Sequence, residues 1–372
     1  MFKLLLLFSF VSCAALNQQV NKVAEKFDTP GPTVDSFKVA WVKNLDPVYN
    51  TGNLPIGTSS PFIFDDIVYM GNLKGEMQAY ELETGKIIWS VSEDKPIQSQ
   101  ANKFGKNIFY GSKTGRLYSR HYLTGKLNYS IDLGSPIESQ PIFTNGRIVL
   151  HLRNHTVITL DAKTGKVFWR YKRSIPFTTT LQRVSHVLPY ENTVLVGFAD
   201  GYLVSLSLDQ GVVSWEQKLS TGFKFVDVDV TPLYFNGYIV AGSAAGPMRM
   251  VNPQNGVIEK NIEFFQSHTP LVDENNLIVG SVFGEVLRID KFGKVLNKRK
   301  ISDDGISSIV KWKNGYAVTT MGNYLFHINK DDLTIKSKFH FGSDQSAVFG
   351  SLIKSDKFLS VYSSRNRLYV FR

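Results

Sequence analysis

The chain has 372 residues, of which 43% are hydrophobic and 20% are charged. This composition excludes an intrinsically disordered protein, and 29 glycines, 16 tyrosines and 26 phenylalanines favour strands and tight turns over helices. The formal net charge is +10, and the 42 lysines and arginines are scattered along the sequence without a dense basic block. We interpret this charge as a solvated surface, with attraction to anionic lipid, nucleic acid or an acidic partner as the alternative.

The N-terminus has the pattern of an export signal. Lys3 precedes an apolar run over residues 4–11, which is too short to span a bilayer but suits the core of a signal peptide. Cys13 is the only cysteine and follows Phe10-Val11-Ser12 directly, so no disulfide can form within the chain. This arrangement resembles a bacterial lipobox.

The lipobox resemblance implies that Cys13 is acylated and anchors the protein to a membrane. Residues 1–12 would then be the signal peptide and residues 13–36, which are mostly polar, a tether. The alternative is an ordinary secretory signal that is cleaved after Ala14 or Ala15.

A repeat of about 40 residues follows the tether. Its closing motif recurs at intervals of 40 as Thr84-Gly85-Lys86-Ile87-Ile88-Trp89, Thr124-Gly125-Lys126-Leu127-Asn128-Tyr129 and Thr164-Gly165-Lys166-Val167-Phe168-Trp169. This period, with short alternating strands divided by glycine turns, is typical of a β-propeller blade. Tryptophans recur at the outer-strand position, where we expect them to pack between blades: Trp41, Trp89, Trp169 and Trp215.

The two ends of the chain complete the blade count. Seven copies of the repeat occupy residues 60–340, and the C-terminus adds three further strands over 347–352, 358–362 and 368–372. A lone outer strand over residues 37–42 supplies the missing fourth. The sequence therefore predicts an all-β protein, an eight-bladed propeller over residues 37–372. Its blades have four antiparallel strands each, and the terminal strands share one blade and close the ring.

The motifs of enzymes are largely missing from the sequence. The Thr-Gly-Lys-x-x-Trp repeat resembles the quinoprotein propellers, whose enzymes hold pyrroloquinoline quinone over calcium. Several of those enzymes also use a disulfide between adjacent cysteines, which this chain lacks. No phosphate loop, nucleophile elbow or zinc motif occurs. His151 and His155 occupy two positions where other repeats have glycine, and we interpret them as exposed turn residues, not metal ligands.

We therefore expect no catalytic residue, no cofactor, no metal and no nucleic-acid partner. A periplasmic quinoprotein-like enzyme or cofactor-binding propeller is the alternative. A third possibility is a carbohydrate-binding propeller, which would need aromatic side chains in its central channel.

Two neighbouring connections between blades are long. The outer-strand aromatic and the start of the next inner strand are 20 residues apart from Trp169 to Pro189, and 17 apart from Trp215 to Pro232. The two preceding connections span only 12 residues each. Long loops on a rigid scaffold are favoured binding sites.

The second long connection carries a narrower signature. The segment Trp215-Glu216-Gln217-Lys218-Leu219-Ser220, followed by Asp227-Val228-Asp229-Val230-Thr231-Pro232 and Asn236-Gly237, resembles the BamB family. The turn Gly85-Lys86-Ile87-Ile88-Trp89-Ser90-Val91 supports the same resemblance. It implies a non-catalytic lipoprotein subunit of the outer-membrane β-barrel assembly machinery.

The resemblance also implies a partner, a location and a site. The partner is a POTRA domain of a BamA-like barrel-inserting protein, and unfolded outer-membrane proteins are further candidates. The location is the periplasmic face of the outer membrane, with a lipid anchor. The protein-binding residues carried over from the family are Leu181, Arg183, Asp227 and Asp229. Alternatively, the two aspartates cap the turn and support Arg183 within the chain.

Overall fold

The computed structural model describes residues 36–46, 57–93, 95–175, 184–220, 226–243, 246–342 and 346–372. Within these ranges the protein is all-β, and its 32 strands form eight four-stranded antiparallel sheets. The predicted eight-bladed propeller is confirmed. None of the ranges contains a helix long and apolar enough to cross a membrane.

Each blade runs outward from the central channel, so its strands are ordered from the innermost to the outermost. Blades 1 to 4 are β2 (Phe62–Phe64), β3 (Ile67–Gly71), β4 (Glu76–Glu81), β5 (Ile87–Ser92); β6 (Asn102–Phe104), β7 (Asn107–Gly111), β8 (Arg116–His121), β9 (Leu127–Asp132); β10 (Ile142–Thr144), β11 (Arg147–His151), β12 (Thr156–Asp161), β13 (Val167–Lys172); and β14 (Leu188–Tyr190), β15 (Thr193–Gly197), β16 (Tyr202–Ser207), β17 (Val213–Lys218). Blades 5 to 8 are β18 (Leu233–Phe235), β19 (Tyr238–Ser243), β20 (Gly246–Val251), β21 (Ile258–Ile262); β22 (Leu271–Asp273), β23 (Asn276–Gly280), β24 (Glu285–Asp290), β25 (Val295–Lys300); β26 (Ile306–Trp312), β27 (Gly315–Thr320), β28 (Tyr324–Asn329), β29 (Ile335–His340); and β30 (Ile353–Lys354), β31 (Leu359–Tyr362), β32 (Arg367–Phe371), β1 (Val39–Asn44).

The propeller has two ends, which we name by what they carry. The connection end carries the links from each outer strand to the next inner strand, together with the turns between second and third strands. The turn end carries the other hairpin turns, between first and second and between third and fourth strands. This division follows from the antiparallel order of the strands in each blade.

Blade 8 closes the ring as predicted, with β1 antiparallel to β32. Its inner strand differs from the expectation, since β30 covers only Ile353–Lys354 and not residues 347–352. The backbone N–H groups of Ser351 and Leu352 donate instead to the hydroxyls of Ser60 and Ser308, at 2.7 and 3.0 Å. Ser351 and Leu352 therefore bind the neighbouring blades and do not join the ladder of their own sheet.

The outer-strand tryptophans pack between blades, as the repeat predicted. The indole N–H of Trp89 donates to the carbonyl of Tyr122 in the next blade at 2.8 Å, and that of Trp169 donates to Leu208 at 2.8 Å. Trp41 and Trp215 make the same bond to their following blades. Each bond joins two consecutive repeats, so the motif that identifies a blade also fixes its position against the next one.

The hydrophobic core lies between the blades. Val149 and Val157 of blade 3, for example, pack with Val194 and Val204 of blade 4, and all four are fully buried. The second and third strands of each blade supply most of this core, because both faces of those strands are covered by neighbouring blades. The core thus holds a rigid ring whose connections can carry a binding site.

Candidate protein-binding face

The connection between blades 4 and 5 is held tightly at residues 226–231. The backbone N–H of Val228 donates to the carbonyl of Phe198 at 3.0 Å, and the Val228 side chain is buried. A Cβ atom at Gly197 would collide with the carbonyl oxygen of Val228, so this close approach requires glycine there. The link therefore has a defined position on the end of β15.

The two aspartates of this connection lie in different surroundings. Asp227 is only 2% exposed, whereas Asp229 lines the central cavity. Asp227 is therefore enclosed within the connection. Asp229 is half-buried, and it is the one of the two that borders the cavity. Leu181, Arg183 and Cys13 lie outside the described residues.

The connection between blades 3 and 4 is anchored at its start by Arg173. The Arg173 guanidinium donates to Asp200 at 2.5 Å and to Glu216 at 2.7 Å, and it stacks over the Tyr202 ring at 4.6 Å. Burial alone would lower the pKa of Arg173, but the hydrogen bonds to Glu216 and Asp200 raise it above its ordinary value. The arginine therefore stays charged and ties blade 3 to blade 4.

This anchor was missed by sequence reasoning. Glu216 belongs to the Trp-Glu-Gln segment that carried the family resemblance, and Arg173 directly follows an outer strand. Each partner of the ion pair therefore has a recognisable position in the sequence. Their pairing across 43 positions needed the arrangement of the blades, because the carboxylate of blade 4 comes beside the end of blade 3 only in the ring.

The far end of the same connection is tied to its neighbour. The N–H of His186 donates to the Thr231 hydroxyl at 3.0 Å, and the N–H of Gln140 donates to His186 Nδ1 at 3.3 Å. Burial lowers the pKa of His186 to about 4, so the ring is neutral at pH 7 and can accept at Nδ1. The two long connections are thus joined to each other and to blade 3.

The interpretation of His151 and His155 as exposed turn residues is wrong. They are 1% and 3% exposed, and their ring centroids lie 6.0 Å apart. His151 Nδ1 lies 3.1 Å from the carbonyl oxygen of Ser185 and its ring meets the Phe198 ring edge-on. His155 does lie in the turn, whereas His151 is the last residue of β11. The sequence could not show that Ser185, at the far end of the long connection, contacts the His151 ring.

A central cavity of about 470 Å³ opens among the connections. Each of the eight blades contributes a side chain close to the start of its inner strand. Ser307 is the second residue of its strand, His186 lies two residues before its strand, and the other six lie four residues before theirs: Thr58, Gln98, Glu138, Asp229, Ser267 and Phe349. Glu138 is paired with Arg153 at 2.8 Å. The lining is polar and carries both signs of charge, so it suits hydrogen bonding to a partner more than enclosure of an apolar ligand.

The described residues contain no group of three His, Cys, Asp or Glu side chains that could hold a metal. A quinone held over calcium would need several oxygen ligands at one point. The two carboxylates that line the cavity, Glu138 and Asp229, belong to connections two blades apart, and Glu138 is already engaged by Arg153. The residues of the described cavity therefore do not fit that pair of cofactors.

Two kinds of known protein are similar to this chain in sequence, and they differ in how much of the chain they match. A quinoprotein alcohol dehydrogenase, PedH of Pseudomonas putida, is 30% identical over 126 residues, but the match covers only 32% of this chain and 21% of the enzyme. The outer membrane protein assembly factor BamB of Burkholderia pseudomallei is 24% identical over 332 residues, 84% of each chain. BamB of Yersinia pestis is 20% identical over 71% of this chain and 72% of its own.

The fold comparison agrees with the sequence comparison. The crystal structure of BamB from Moraxella catarrhalis matches with a TM-score of 0.76 at 18% identity, over 90% of this chain and 99% of the other. The family model described as outer membrane protein assembly factor BamB matches residues 73–299, more than half of the chain. The chain therefore belongs to the BamB family of β-propeller proteins.

Proposed function

We propose that this protein is a non-catalytic scaffold lipoprotein that assists the assembly and insertion of β-barrel proteins into the outer membrane. Membership of the BamB family supports the proposal, since the family model and the relatives in Burkholderia pseudomallei and Yersinia pestis are described as assembly factors of outer-membrane proteins. In this proposal Cys13 carries the lipid, and the propeller sits at the periplasmic face of the outer membrane.

The partner in this proposal is a POTRA domain of a BamA-like barrel-inserting protein, bound at the connection end of blades 3 to 5. The observation that carries the proposal is the firm placement of the link between blades 4 and 5, with Val228 held against Gly197 and Asp229 in the cavity. A carboxylate that is held in place loses little freedom when it binds, so more of its hydrogen-bond energy reaches the complex.

Each aspartate has its own role in the proposal. Asp229 accepts charge-assisted hydrogen bonds from the partner, each contributing about 1.5–3 kcal/mol. Asp227, being buried, positions the connection and does not touch the partner. Leu181 and Arg183 remain proposed contacts from the neighbouring connection, with Leu181 filling an apolar notch.

The test is co-purification from detergent-solubilised envelopes, with wild type compared with Asp229→Ala and with Asp227→Ala/Asp229→Ala. We expect wild type to recover a POTRA-containing barrel protein and Asp229→Ala to recover at least about tenfold less, from the loss of one such bond. Asp303→Ala is the matched control, because Asp303 is an exposed carboxylate on the connection between blades 6 and 7.

The outcomes separate the function from the site. If folded Asp229→Ala recovers as much partner as Asp303→Ala, the assembly function survives and the site is wrong. If intact wild type recovers no POTRA-containing protein, the proposed function itself is refuted.

A quinoprotein-like enzyme is the second candidate, favoured only by the match to PedH over 126 residues. It predicts quinone absorbance in the purified protein, or dehydrogenase activity after quinone and calcium are added. Either result would refute a non-catalytic role.

A further inference from the structure

The net charge of the chain is concentrated in two neighbouring blades. Residues 96–175, which form blades 2 and 3, contain thirteen lysines and arginines and only three acidic residues, Asp132, Glu138 and Asp161, a difference of +10. The whole chain, with 42 basic and 32 acidic residues, also has a formal charge of +10. The remaining residues are therefore neutral overall. Cations that are scattered along 80 positions of sequence share one sector of the ring.

Arginines and lysines of this sector behave differently. Four arginines form ion pairs, with Glu93, Asp209, Glu138 and Asp200 as their respective partners: Arg120, Arg147, Arg153 and Arg173. The exposed cations have no carboxylate within ion-pair distance in the described part of the chain: Lys106, Lys113, Arg116, Lys126, Lys163, Lys166, Arg170 and Lys172. Six of these eight are lysines. Lysine is a compact, hydrated point charge that suits non-directional attraction, whereas a carboxylate on a protein partner favours the planar fork of arginine.

Half of the exposed cations gather at the turn end beside exposed apolar side chains. We name this group the basic edge, and its members are Phe104, Lys106, Leu123, Lys126, Lys163, Lys166 and Phe168. Leu123 is 45% exposed in the turn before β9, and Phe168 is 46% exposed near the start of β13. Lysines next to exposed apolar groups at the tips of turns are typical of surfaces that lie on a lipid headgroup layer.

The N-terminal segment meets the propeller at the same end. The indole N–H of Trp312, the last residue of β26, donates to the carbonyl of Ser36 at 2.8 Å. The Ser36 hydroxyl lies 2.8 Å from His327 Nδ1, and Phe37 packs on Phe371. The sequence before Ser36 therefore joins the fold at the turn end, so one flat surface can face both that point and the basic edge.

We propose that the basic edge binds anionic lipid headgroups at a bilayer surface, with the turn end of the propeller toward the membrane. The connection end then faces away from the lipid and is open to a protein partner. The inference goes beyond the assembly function and does not depend on it. Each lysine close to an anionic surface strengthens membrane binding about fivefold, so the four lysines together supply more than about 100-fold.

The test uses the full-length chain with Cys13→Ser, so that no acyl group can contribute. Its co-sedimentation is measured with vesicles of phosphatidylcholine alone and of phosphatidylcholine mixed with phosphatidylglycerol. The variant is Lys106→Gln/Lys126→Gln/Lys163→Gln/Lys166→Gln. The control, Lys218→Gln/Lys298→Gln/Lys300→Gln/Lys338→Gln, removes the same charge from exposed lysines of blades 4, 6 and 7.

We expect wild type to sediment with the anionic vesicles only, and to be released as NaCl rises to about 0.5 M. The variant in the basic edge should lose more than about 100-fold in partitioning, and the control less than about fivefold. Equal losses in the two variants would overturn the proposal, since net charge alone would then decide. Absence of sedimentation at low salt would also overturn it. Retention of wild type, but not of the basic-edge variant, by an acidic protein would then assign this edge to protein binding.

Discussion

At the scale of single residues, the third blade shows how a repeat tolerates an exchange. Blade 1 has Gly71 at the end of its second strand, where a Cβ would collide with Ile97 of the following connection. Blade 3 has His151 at that position, and its Nδ1 lies 3.1 Å from the backbone carbonyl oxygen of Ser185 in the following connection. The His151 ring also meets the Phe198 ring of blade 4 edge-on, at a centroid distance of 5.0 Å. The ring of His151 is buried as a consequence.

The burial of His151 predicts a pH dependence of stability. Burial, and then the neighbouring His155, lower its pKa from 6.5 to about 3. Because the unfolded state binds the proton more readily between these values, His151 makes the free energy of unfolding fall as pH falls below 6.5, by about 1.4 kcal/mol per pH unit. From pH 7 to pH 5 we expect wild type to lose about 2 kcal/mol more than His151→Gln in urea unfolding.

His340→Gln is the control for this experiment, since His340 is exposed. His151→Gln should flatten the pH dependence of stability more than this control does. If the two variants have the same pH dependence, the His151 imidazole is not held neutral in the folded state.

Two glycines of blade 3 allow backbone strain to be separated from packing. Gly165 and Gly146 have φ of +74° and +75°, but a Cβ at Gly165 would lie 2.7 Å from Tyr129 Cε2, whereas nothing lies within 4 Å at Gly146. Both substitutions to alanine should destabilise the protein by about 1 kcal/mol from φ. Gly165→Ala should cost about 1–3 kcal/mol more, because the Tyr129 ring must move. Thermal unfolding of the two variants tests this, and equal melting temperatures would contradict the packing role.

At the scale of elements, the connections differ far more than the strands do. The strand sequences repeat because equivalent strands of every blade pack in the same way. The 40-residue pattern was therefore enough to predict them. The sequence could not predict that Asp227 is buried and that Asp229 borders the cavity. These placements depend on how Val228 packs against the end of β15. Arg173 and its carboxylates likewise come together only when two blades are adjacent.

The contact between Val228 and β15 predicts that partner binding can be weakened without altering any carboxylate. Gly197→Ala should push Val228 away and destabilise the fold by about 1–3 kcal/mol, while partner recovery falls severalfold. Gly111→Ala is the matched control, because it collides with Ile137 at the same position between blades 2 and 3. It should cost similar stability and leave recovery unchanged. Equal recovery by the two folded variants would mean that Asp229 does not depend on this contact.

At the scale of the whole molecule, the ring is closed by hydrogen bonds between the ends of the chain. Lys38 and Arg372 exchange backbone bonds, with the Lys38 N–H donating at 3.2 Å and the Arg372 N–H at 2.8 Å. Phe37 and Trp312 add packing at the same junction. In blade 8 the outer strand comes from the N-terminal part of the chain and the other three strands come from the C-terminal part. No turn joins the outer strand to its neighbour β32, so closure depends on non-covalent contacts between them.

A disulfide across this junction should stabilise the ring. An antiparallel pair that exchanges both hydrogen bonds has Cα atoms about 5.5 Å apart, within the range that a disulfide spans. In a Cys13→Ser background, oxidised Lys38→Cys/Arg372→Cys should be more stable than its reduced form by about 2–4 kcal/mol. The two melting temperatures measure this. If they are equal, unfolding does not require the two ends to separate.

The sequence by itself determined the blades, their number, the closing pair of terminal strands and the tryptophan contacts. These depend on hydrophobic period and turn chemistry, which repeat and act over short distances. Only the tertiary structure decided which aspartate faces the cavity, that His151 and His155 are buried, and which cations of blades 2 and 3 form ion pairs. Those features depend on which residues of different blades become neighbours, and a long-range contact leaves no period in the sequence.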